Sequence, residues 1–384
     1  MTDRRQNFEV ISMPATREPV SLLSVDRAVS ELRRGRAITI QGSDGSALLV
    51  QAAEGVTDRG LRELEKFSGN APFLALTARR AMVLGFARPK GKIVTINTNP
   101  PITAASVHEL CDPLAECDVS KLDINTSETS AYDSARAAVS LAKLARLLPA
   151  VACAAITTTD ADDLAQWCVR RNMLMVDAGD IFQYESVSAR TLKPVSEARV
   201  PLEEAENCRI IAYRPSDGGL EHLAIVIGEP DKEAPVLTRL HSECFTGDLL
   251  GSLRCDCGDQ LRGAISEISS RGAGVMLYLA QEGRGIGLVN KLRAYALQDQ
   301  GFDTLDANEQ LGFDADERVY LPAARMLKLL GFTQVQLMTN NPVKVDALRK
   351  CGVDVVERVQ HSFPSNKHNE FYLETKKTKS GHLL

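Results

Sequence analysis

The run Gly274-Val-Met-Leu-Tyr-Leu-Ala-Gln-Glu-Gly-Arg-Gly-Ile-Gly-Leu-Val-Asn-Lys-Leu-Arg-Ala-Tyr-Ala-Leu-Gln-Asp-Gln300 decides the fold of this chain. Its first six residues form a short apolar stretch that stops at a polar, glycine-rich segment, which predicts a buried strand over 274–279. Residues 287–300 predict a helix. Between them, Glu282-Gly-Arg284-Gly-Ile-Gly287 supplies a tight turn. A turn that leads from a strand into a helix presents backbone N–H groups to an anion, and Arg284 adds a charged donor. The glycine spacing departs from Gly-x-Gly-x-x-Gly, so the turn is no dinucleotide fingerprint and by itself supports no more than a tight turn.

The same alternation runs outward in both directions. Strands are expected at 208–213, 223–227, 236–240, 335–338 and 353–358, with helices at 320–330 and 343–351. Toward the N-terminus, helices are expected over 25–34, 58–67, 130–148 and 159–171. Strands are expected there at 37–40, 48–53, 73–77, 151–156 and 173–176. The reading is α/β with mixed α+β layers, in two domains each built on a mixed sheet flanked by helices. Residues 181–201 carry two prolines and no strong period, so the boundary is set at 190: domains 1–190 and 191–384. The first twenty or so residues and the tail from Phe371 to Leu384 are read as polar ends.

At 384 residues with 44% hydrophobic and 25% charged residues, the chain has a globular composition and enough length for two cores. A net charge of −5 excludes a general nucleic-acid coat, and no apolar run reaches membrane-spanning length. The N-terminus shows no hydrophobic signal core, and a cytoplasmic protein is expected. Nine cysteines without regular spacing are unlike a disulfide framework. Six of them, Cys111, Cys117, Cys153, Cys168, Cys208 and Cys351, read as packing residues.

Cys244, Cys255 and Cys257 differ, having ten residues and then one between them in a polar stretch with Gly247 and Gly258. Three thiolates fit one zinc ion per chain with the fourth position left to water, the pattern of a catalytic site. Such a water ionises near neutral pH and supplies a nucleophile. His241 reads as a polar neighbour or strand residue rather than a ligand. A second strand-to-helix turn, Thr339-Asn-Asn-Pro-Val-Lys344, has Pro342 suited to a first helical turn. The two turns with Arg239, Arg284 and Lys344 could neutralise a triphosphate, with Mg²⁺ held largely by the phosphates and water. Taken alone, Asp316-Glu-Arg318 reads as a solvated charge run and Tyr295 as a packing residue.

Together, Arg239-Leu-His-Ser-Glu-Cys244, Leu253-Arg-Cys-Asp-Cys-Gly258, Gln281 to Leu288, Ala294-Tyr-Ala-Leu-Gln-Asp299 and Met338-Thr-Asn-Asn-Pro342 resemble GTP cyclohydrolase II in family order. The resemblance covers about 192–384. It implies hydrolysis of GTP to 2,5-diamino-6-(5-phospho-D-ribosylamino)pyrimidin-4(3H)-one, formate and pyrophosphate, the first step of riboflavin biosynthesis, in a homodimer. It implies Cys244, Cys255 and Cys257 as zinc ligands, Tyr295 beside the attacked carbon, Asp316 as proton acceptor and Arg318 as nucleophile or charge stabiliser at the α-phosphorus. Nucleotide contacts are implied for Arg239, Leu240, His241, Ser242, Glu243, Gln260, Glu282, Gly283, Arg284, Thr304, Thr339 and Lys344. A guanidinium stays protonated above pH 12, which favours charge stabilisation for Arg318. The chain departs from the family at Ala280, where many relatives have arginine, and at Glu309, where some have histidine.

The N-terminal half resembles 3,4-dihydroxy-2-butanone 4-phosphate synthase in the order Gly35-Arg-Ala-Ile-Thr-Ile40, residues 135–149 and Cys153-Ala-Ala-Ile156. The family's acidic loop is reduced here to Asp44, its His-Thr-Glu to Ser134-Ala-Arg136, and its Cys-Glu-Ile to Cys153-Ala-Ala-Ile156. Without clustered carboxylates or a titratable base, this half is expected to be a non-catalytic scaffold. Three other readings stay open at this point: a paralogue acting on another heterocycle, as in pyrimidine catabolism; a non-catalytic nucleotide-binding scaffold; and a bifunctional enzyme.

Overall fold

The computed structural model describes residues 17–86, 91–128, 133–157, 163–361 and 363. Most of the polar start and the tail from Phe371 to Leu384 therefore lie outside the described residues, as does the beginning of the helix expected over 159–171. The expected mixed α/β architecture is present as two seven-stranded mixed sheets flanked by helices.

The first sheet comprises β1 (Ile38–Gln41), β2 (Ala47–Ala52), β3 (Phe73–Thr77), β4 (Ile93–Asn99), β5 (Asp123–Glu128), β6 (Ala150–Ala155) and β7 (Met175–Asp177). Its order is β5-β4-β3-β6-β2-β1-β7, and only the β1–β7 pair is parallel. The second sheet comprises β8 (Lys193–Arg199), β9 (Cys208–Arg214), β10 (His222–Ile227), β11 (Val236–Ser242), β12 (Gly274–Leu279), β13 (Gln334–Met338) and β14 (Asp354–Val359). Its order is β14-β13-β11-β12-β10-β9-β8. Strands β12, β11, β13 and β14 run parallel, whereas β8, β9 and β10 form an antiparallel wing that joins at β12. The central strand β12 is a nearly continuous apolar run, as burial on both faces requires, whereas the edge strand β14 fully buries only Val355.

The stretch 181–201, which shows no strong period in the sequence, is nonetheless regular for most of its length. It holds the helix Ala178–Thr191 followed by β8. The helix buries only Ala178, Ile181, Val187 and Ala189, too sparse a face to give a clear period, and the Asp177 side chain caps it by accepting from the Gly179 N–H at 2.8 Å. Strand β8 is exposed along its whole length, so no alternation marks it; pairing with β9 makes it a strand. The helices Cys257–Ser270 and Thr304–Gln310 and strands β4 and β5 were likewise not expected.

The cores do not follow the division between the sheets. One buried cluster joins Leu61, Leu74, Ile96 and Trp167 of the first half to Ile286, Ala294, Leu297, Ala307, Leu311 and Phe313 of the second. The helices Leu288–Asp299 and Thr304–Gln310 are thus packed into the first half's core. Polar contacts reinforce the join. The Thr77 hydroxyl donates to Gly312 O at 2.7 Å, Arg79 pairs with Asp314 at 2.7 Å, and Lys143 pairs with Glu317 at 2.6 Å.

Candidate active site

Parallel sheets place ligands outside the carboxyl ends of their strands. Here β11, β12 and β13 end together at Ser242, Leu279 and Met338, and one cavity opens above them. It is lined by the cysteines, the turn after β12, the helix Leu288–Asp299 and the turn after β13.

The chain leaves β11 at Ser242 and turns sharply at Cys244, whose carbonyl accepts from the Asp248 N–H at 2.7 Å. Cys257 opens the helix Cys257–Ser270, which brings the third sulfur back to the first. The three Sγ atoms lie within 4.8 Å of one another, with Cys244 and Cys255 at 3.7 Å. Among the described residues this is the only group of three or more His, Cys, Asp or Glu side chains that could hold a metal ion. Gly247 floors the cluster. A Cβ there would stand 2.8 Å from Cys255 Sγ and 3.0 Å from Cys244 Sγ. A soft donor set around space that even a methyl group would fill fits a thiophilic ion such as zinc.

The sulfurs share their protons unevenly, with the thiolate favoured at Cys244 while that sulfur and burial push the Cys255 and Cys257 thiols up. Hydrogen bonds from Cys255 and Cys257 hold the Cys244 thiol far below its ordinary pKa, and the Lys291 ammonium adds to this. Lys291 Nζ donates to Cys244 Sγ at 3.0 Å, to Thr246 Oγ1 at 3.0 Å and to Glu282 Oε1 at 2.8 Å. Burial opposes the charge on Lys291, but Glu282 and Cys244 outweigh it and keep the amine protonated. Behind the cluster, the buried Asp248 accepts from the Cys244 N–H at 3.0 Å and the Tyr278 hydroxyl at 3.0 Å, and meets His241 Nε2 at 3.0 Å. That contact ties down one His241 ring nitrogen, and burial pushes the ring's pKa down. His241 thus orients the loop rather than joining the sulfur cluster.

The turn after β12 is strained. Gly283, Arg284, Gly285 and Gly287 all have positive φ, at 63°, 62°, 99° and 87°. Only Arg284 is not glycine, and a side chain in that region costs on the order of 1 kcal/mol or more. At Gly285 a Cβ would sit 3.0 Å from the Glu317 backbone, so glycine is required for close approach as well as for φ. The Glu317 N–H donates to Arg284 O at 3.1 Å, and Arg284 Nη1 donates to Ala315 O at 3.3 Å. These contacts seat the turn against the 314–318 loop. Both oxygens of Glu282 are engaged by protein donors: Lys291 and the Gly283 N–H on one, the Phe245 N–H at 2.6 Å on the other. Glu243 lines the cavity beside it, its carboxyl pushed up by burial and by Glu282.

Asp316 and Arg318, a solvated charge run by sequence alone, form a two-pronged pair. Arg318 Nε donates to Oδ1 at 2.8 Å and Nη2 to Oδ2 at 2.5 Å, with the Arg318 side chain only 12% exposed. Burial would raise the Asp316 carboxyl, yet the guanidinium holds it below the ordinary range. Opposite, Arg239 is buried, donates to Met338 O at 2.9 Å and bonds the Gln260 side chain. Burial pushes its guanidinium down to about 10, which still leaves it charged at neutral pH. Lys344 Nζ donates to Leu240 O at 3.1 Å from the first turn of the helix Pro342–Lys350, which Asn341 caps through the Val343 N–H at 2.9 Å.

Of the sequence-predicted residues, Arg239, His241, Ser242, Glu243, Cys244, Cys255, Cys257, Gln260, Glu282, Gly283, Arg284, Tyr295, Thr304, Arg318, Thr339 and Lys344 line the one cavity. Leu240 and Asp316 do not. The Leu240 side chain is core and contributes its carbonyl, while Asp316 stands behind Arg318. Tyr295 is no mere packing residue; its hydroxyl lies 3.4 Å from Thr246 Oγ1. Sequence reasoning missed Lys291 and His361, and had Asn340 only as part of the turn 339–344. Lys291 stands four residues before Tyr295, hence on the same helix face, a signal that was available. His361 reaches Gln260 O at 3.0 Å from across the sheet, and no local pattern marks it.

Residues 193–360 match the family model for GTP cyclohydrolase II. A protein named GTP cyclohydrolase-2 from Azospirillum brasilense is 54% identical over 368 residues, spanning 96% of this chain and 95% of that one. One of the same name from Xylella fastidiosa (strain Temecula1) is 36% identical, spanning 94% of this chain and 87% of its own length. Another, from Escherichia coli O9:H4, is 52% identical over 193 residues, which are 50% of this chain and 98% of that one. A crystal structure of a two-domain 3,4-dihydroxy-2-butanone 4-phosphate synthase from A. baumannii aligns with 88% of this chain and 99% of its own at 17% identity and a TM-score of 0.36. The family match falls on the half whose sheet carries the cysteine cluster and the cavity, and the likeness to the Azospirillum protein runs through both halves: the chain is a hydrolase of the GTP cyclohydrolase II family.

Proposed function

We propose that this chain hydrolyses GTP to 2,5-diamino-6-(5-phospho-D-ribosylamino)pyrimidin-4(3H)-one, formate and pyrophosphate, a riboflavin-biosynthesis step in keeping with its family. One observation carries the proposal: a three-sulfur cluster and the cations Arg239, Arg284, Arg318 and Lys344 line the same cavity. Ring hydrolysis and phosphate chemistry on one nucleotide call for both in one place.

In this reading Cys244, Cys255 and Cys257 hold zinc. When bound, zinc supplies Lewis acidity and a water acidic enough to attack near neutral pH. The chain's own residues do the rest. Lys291 neutralises the thiolate charge and, through Glu282, fixes the turn against the cysteine loop. The Tyr295 hydroxyl, steadied at Thr246, orients the attacked edge of the base. Glu243, lining the cavity beside Glu282, suits guanine's donor edge. Arg318, held flat by Asp316, stabilises charge developing at the α-phosphoryl group, and its two-pronged pairing argues for a charged donor over a nucleophile. Arg239, Arg284 and Lys344 take the remaining phosphate charge with Mg²⁺ carried by the substrate. The division near residue 190 and a non-catalytic first half belong to the same proposal. In that half the turn at 41–46 offers only Asp44, hydrogen-bonded to the Ser46 N–H at 2.9 Å.

Zinc-loaded protein incubated with GTP and magnesium should release formate and pyrophosphate in equal amounts. Pyrophosphate without formate would break the assignment of the cysteine cluster to ring hydrolysis.

A further inference from the structure

The turn Gln281–Gly287 is a thin wall. Glu282, Gly283 and Arg284 face the cavity described above, while Ala280, Gln281 and Gly285 line a second cavity between the two halves of the molecule. A run of positive-φ residues with open space on both sides persists only if its surroundings fix it. Part of that fixing comes from the first half, through one residue.

We infer that Arg146 is a positioning residue for the GTP site, the point at which the first half sets the conformation of the second half's turn. Its side chain and backbone grip opposite ends of the turn. Arg146 Nη2 donates to Ala280 O at 2.5 Å, just before the turn. The Arg146 carbonyl accepts from Asn290 Nδ2 at 3.1 Å, and the same Nδ2 reaches Ile286 O at 3.0 Å, near the turn's end. Arg146 also packs flat against Gly287, where an added Cβ would meet its Cβ at 2.9 Å. Arg146 is itself one of three non-glycine residues with positive φ among the described residues, at 58°. The Ala280 peptide is pinned on its other side as well, its N–H donating to His222 Nδ1 at 3.1 Å. With Ala280 O, Ile286 O and Gly287 fixed, the residues between them have little freedom in where they present Glu282 and Arg284.

This gives the first half a task that needs no chemistry of its own. It acts as a template that holds a strained turn, so its loss of acidic clusters is compatible with its retention. The inference rests on the GTP-hydrolase reading for its kinetic arm and on geometry alone for its exchange arm.

The test uses the full chain and three proteins: wild type, Arg146→Ala, which keeps the same backbone demand without the side chain, and Arg146→Lys, which keeps a donor and the charge. Formate release from GTP, zinc content and amide hydrogen exchange are measured on each. Arg146→Ala should lower kcat/KM about 10- to 100-fold, the scale of a displacement of about 1 Å in a positioning group. It should bind zinc as wild type does and speed exchange at 281–287 but not within β11 or the helix Cys257–Ser270. Arg146→Lys should recover most of both losses. Wild-type kinetics and exchange in the alanine variant would overturn the inference. So would faster exchange spread evenly over both sheets, which marks a general stabilising role. If wild type releases no formate, the functional reading fails instead, and local exchange at 281–287 still decides the role of Arg146.

Discussion

The turns at 41–46 and 281–287 invite comparison, because each follows an interior strand of a seven-stranded sheet and each depends on glycine. At Gly45, φ is 82° and nothing lies within 4 Å of where a Cβ would be. Glycine is there for φ alone. At Gly285, φ is 99° and the Cβ position is blocked by Glu317, and at Gly287 by Arg146. Glycine there also admits neighbours. The difference teaches that a turn bears chemistry where other elements crowd onto it. The first turn is held mainly by its own residues, with a single Ser46–Ser134 hydroxyl contact at 3.5 Å from outside, while the second is fixed by groups from both halves and faces a cavity full of charge.

The largest effect that tests this contrast lies in the cysteine cluster. Cys255→Ser should lose zinc and formate release together, by at least about 10³-fold, since among the described residues no further His, Cys, Asp or Glu joins the cluster to replace it. Metal analysis beside the formate assay checks both, and a zinc-free variant with wild-type turnover would remove the metal from the account. Next is Arg318→Lys. It keeps the charge but loses the two-pronged hold on Asp316, so pyrophosphate release should fall about 10²-fold with zinc content unchanged.

The two turns can then be set directly against each other. Gly285→Ala should cost about tenfold or more in kcat/KM because the Glu317 backbone must move. Gly45→Ala should cost about 1 kcal/mol of stability from φ strain and leave kcat/KM unchanged. Equal kinetic losses in the two variants would erase the contrast.

The smallest effect concerns His222. Burial pushes its pKa from 6.5 down to about 4, so the folded state keeps it neutral, with Nδ1 accepting from Ala280. A base with a depressed folded pKa contributes fully above pH 6.5 and loses that contribution as the pH falls toward about 4. Denaturant unfolding should show a loss of about 1 kcal/mol from this group between pH 6.5 and about 5.5, which His222→Gln removes.

Much of this was legible in the sequence. The strands β3 and β12 and the helix Leu321–Leu330 followed from apolar runs ending at polar or glycine-bearing turns, because burial on both faces writes itself as continuous hydrophobicity. Strand β8 was not legible, since an exposed edge strand is specified by its partner β9 and not by its own pattern. The cysteine cluster was legible through spacing. Arg318 was not legible as a buried group from its neighbours alone, because Asp316-Glu-Arg318 has the composition of a solvent-facing run and only the fold covers it. The shared core was hidden for a similar reason. Ile286, Leu297 and Phe313 look like ordinary second-half core residues, and nothing local says that Trp167 lies in the same cluster.

The central claim is that one cavity opens the ring and handles the phosphates of the same nucleotide. Formate and pyrophosphate measured together from GTP, with zinc-loaded wild-type protein, test it most directly. The account predicts that both appear in a one-to-one ratio and that both fall in the Cys255→Ser variant. Formate absent from a zinc-replete preparation, or GTP bound and recovered intact, would contradict it.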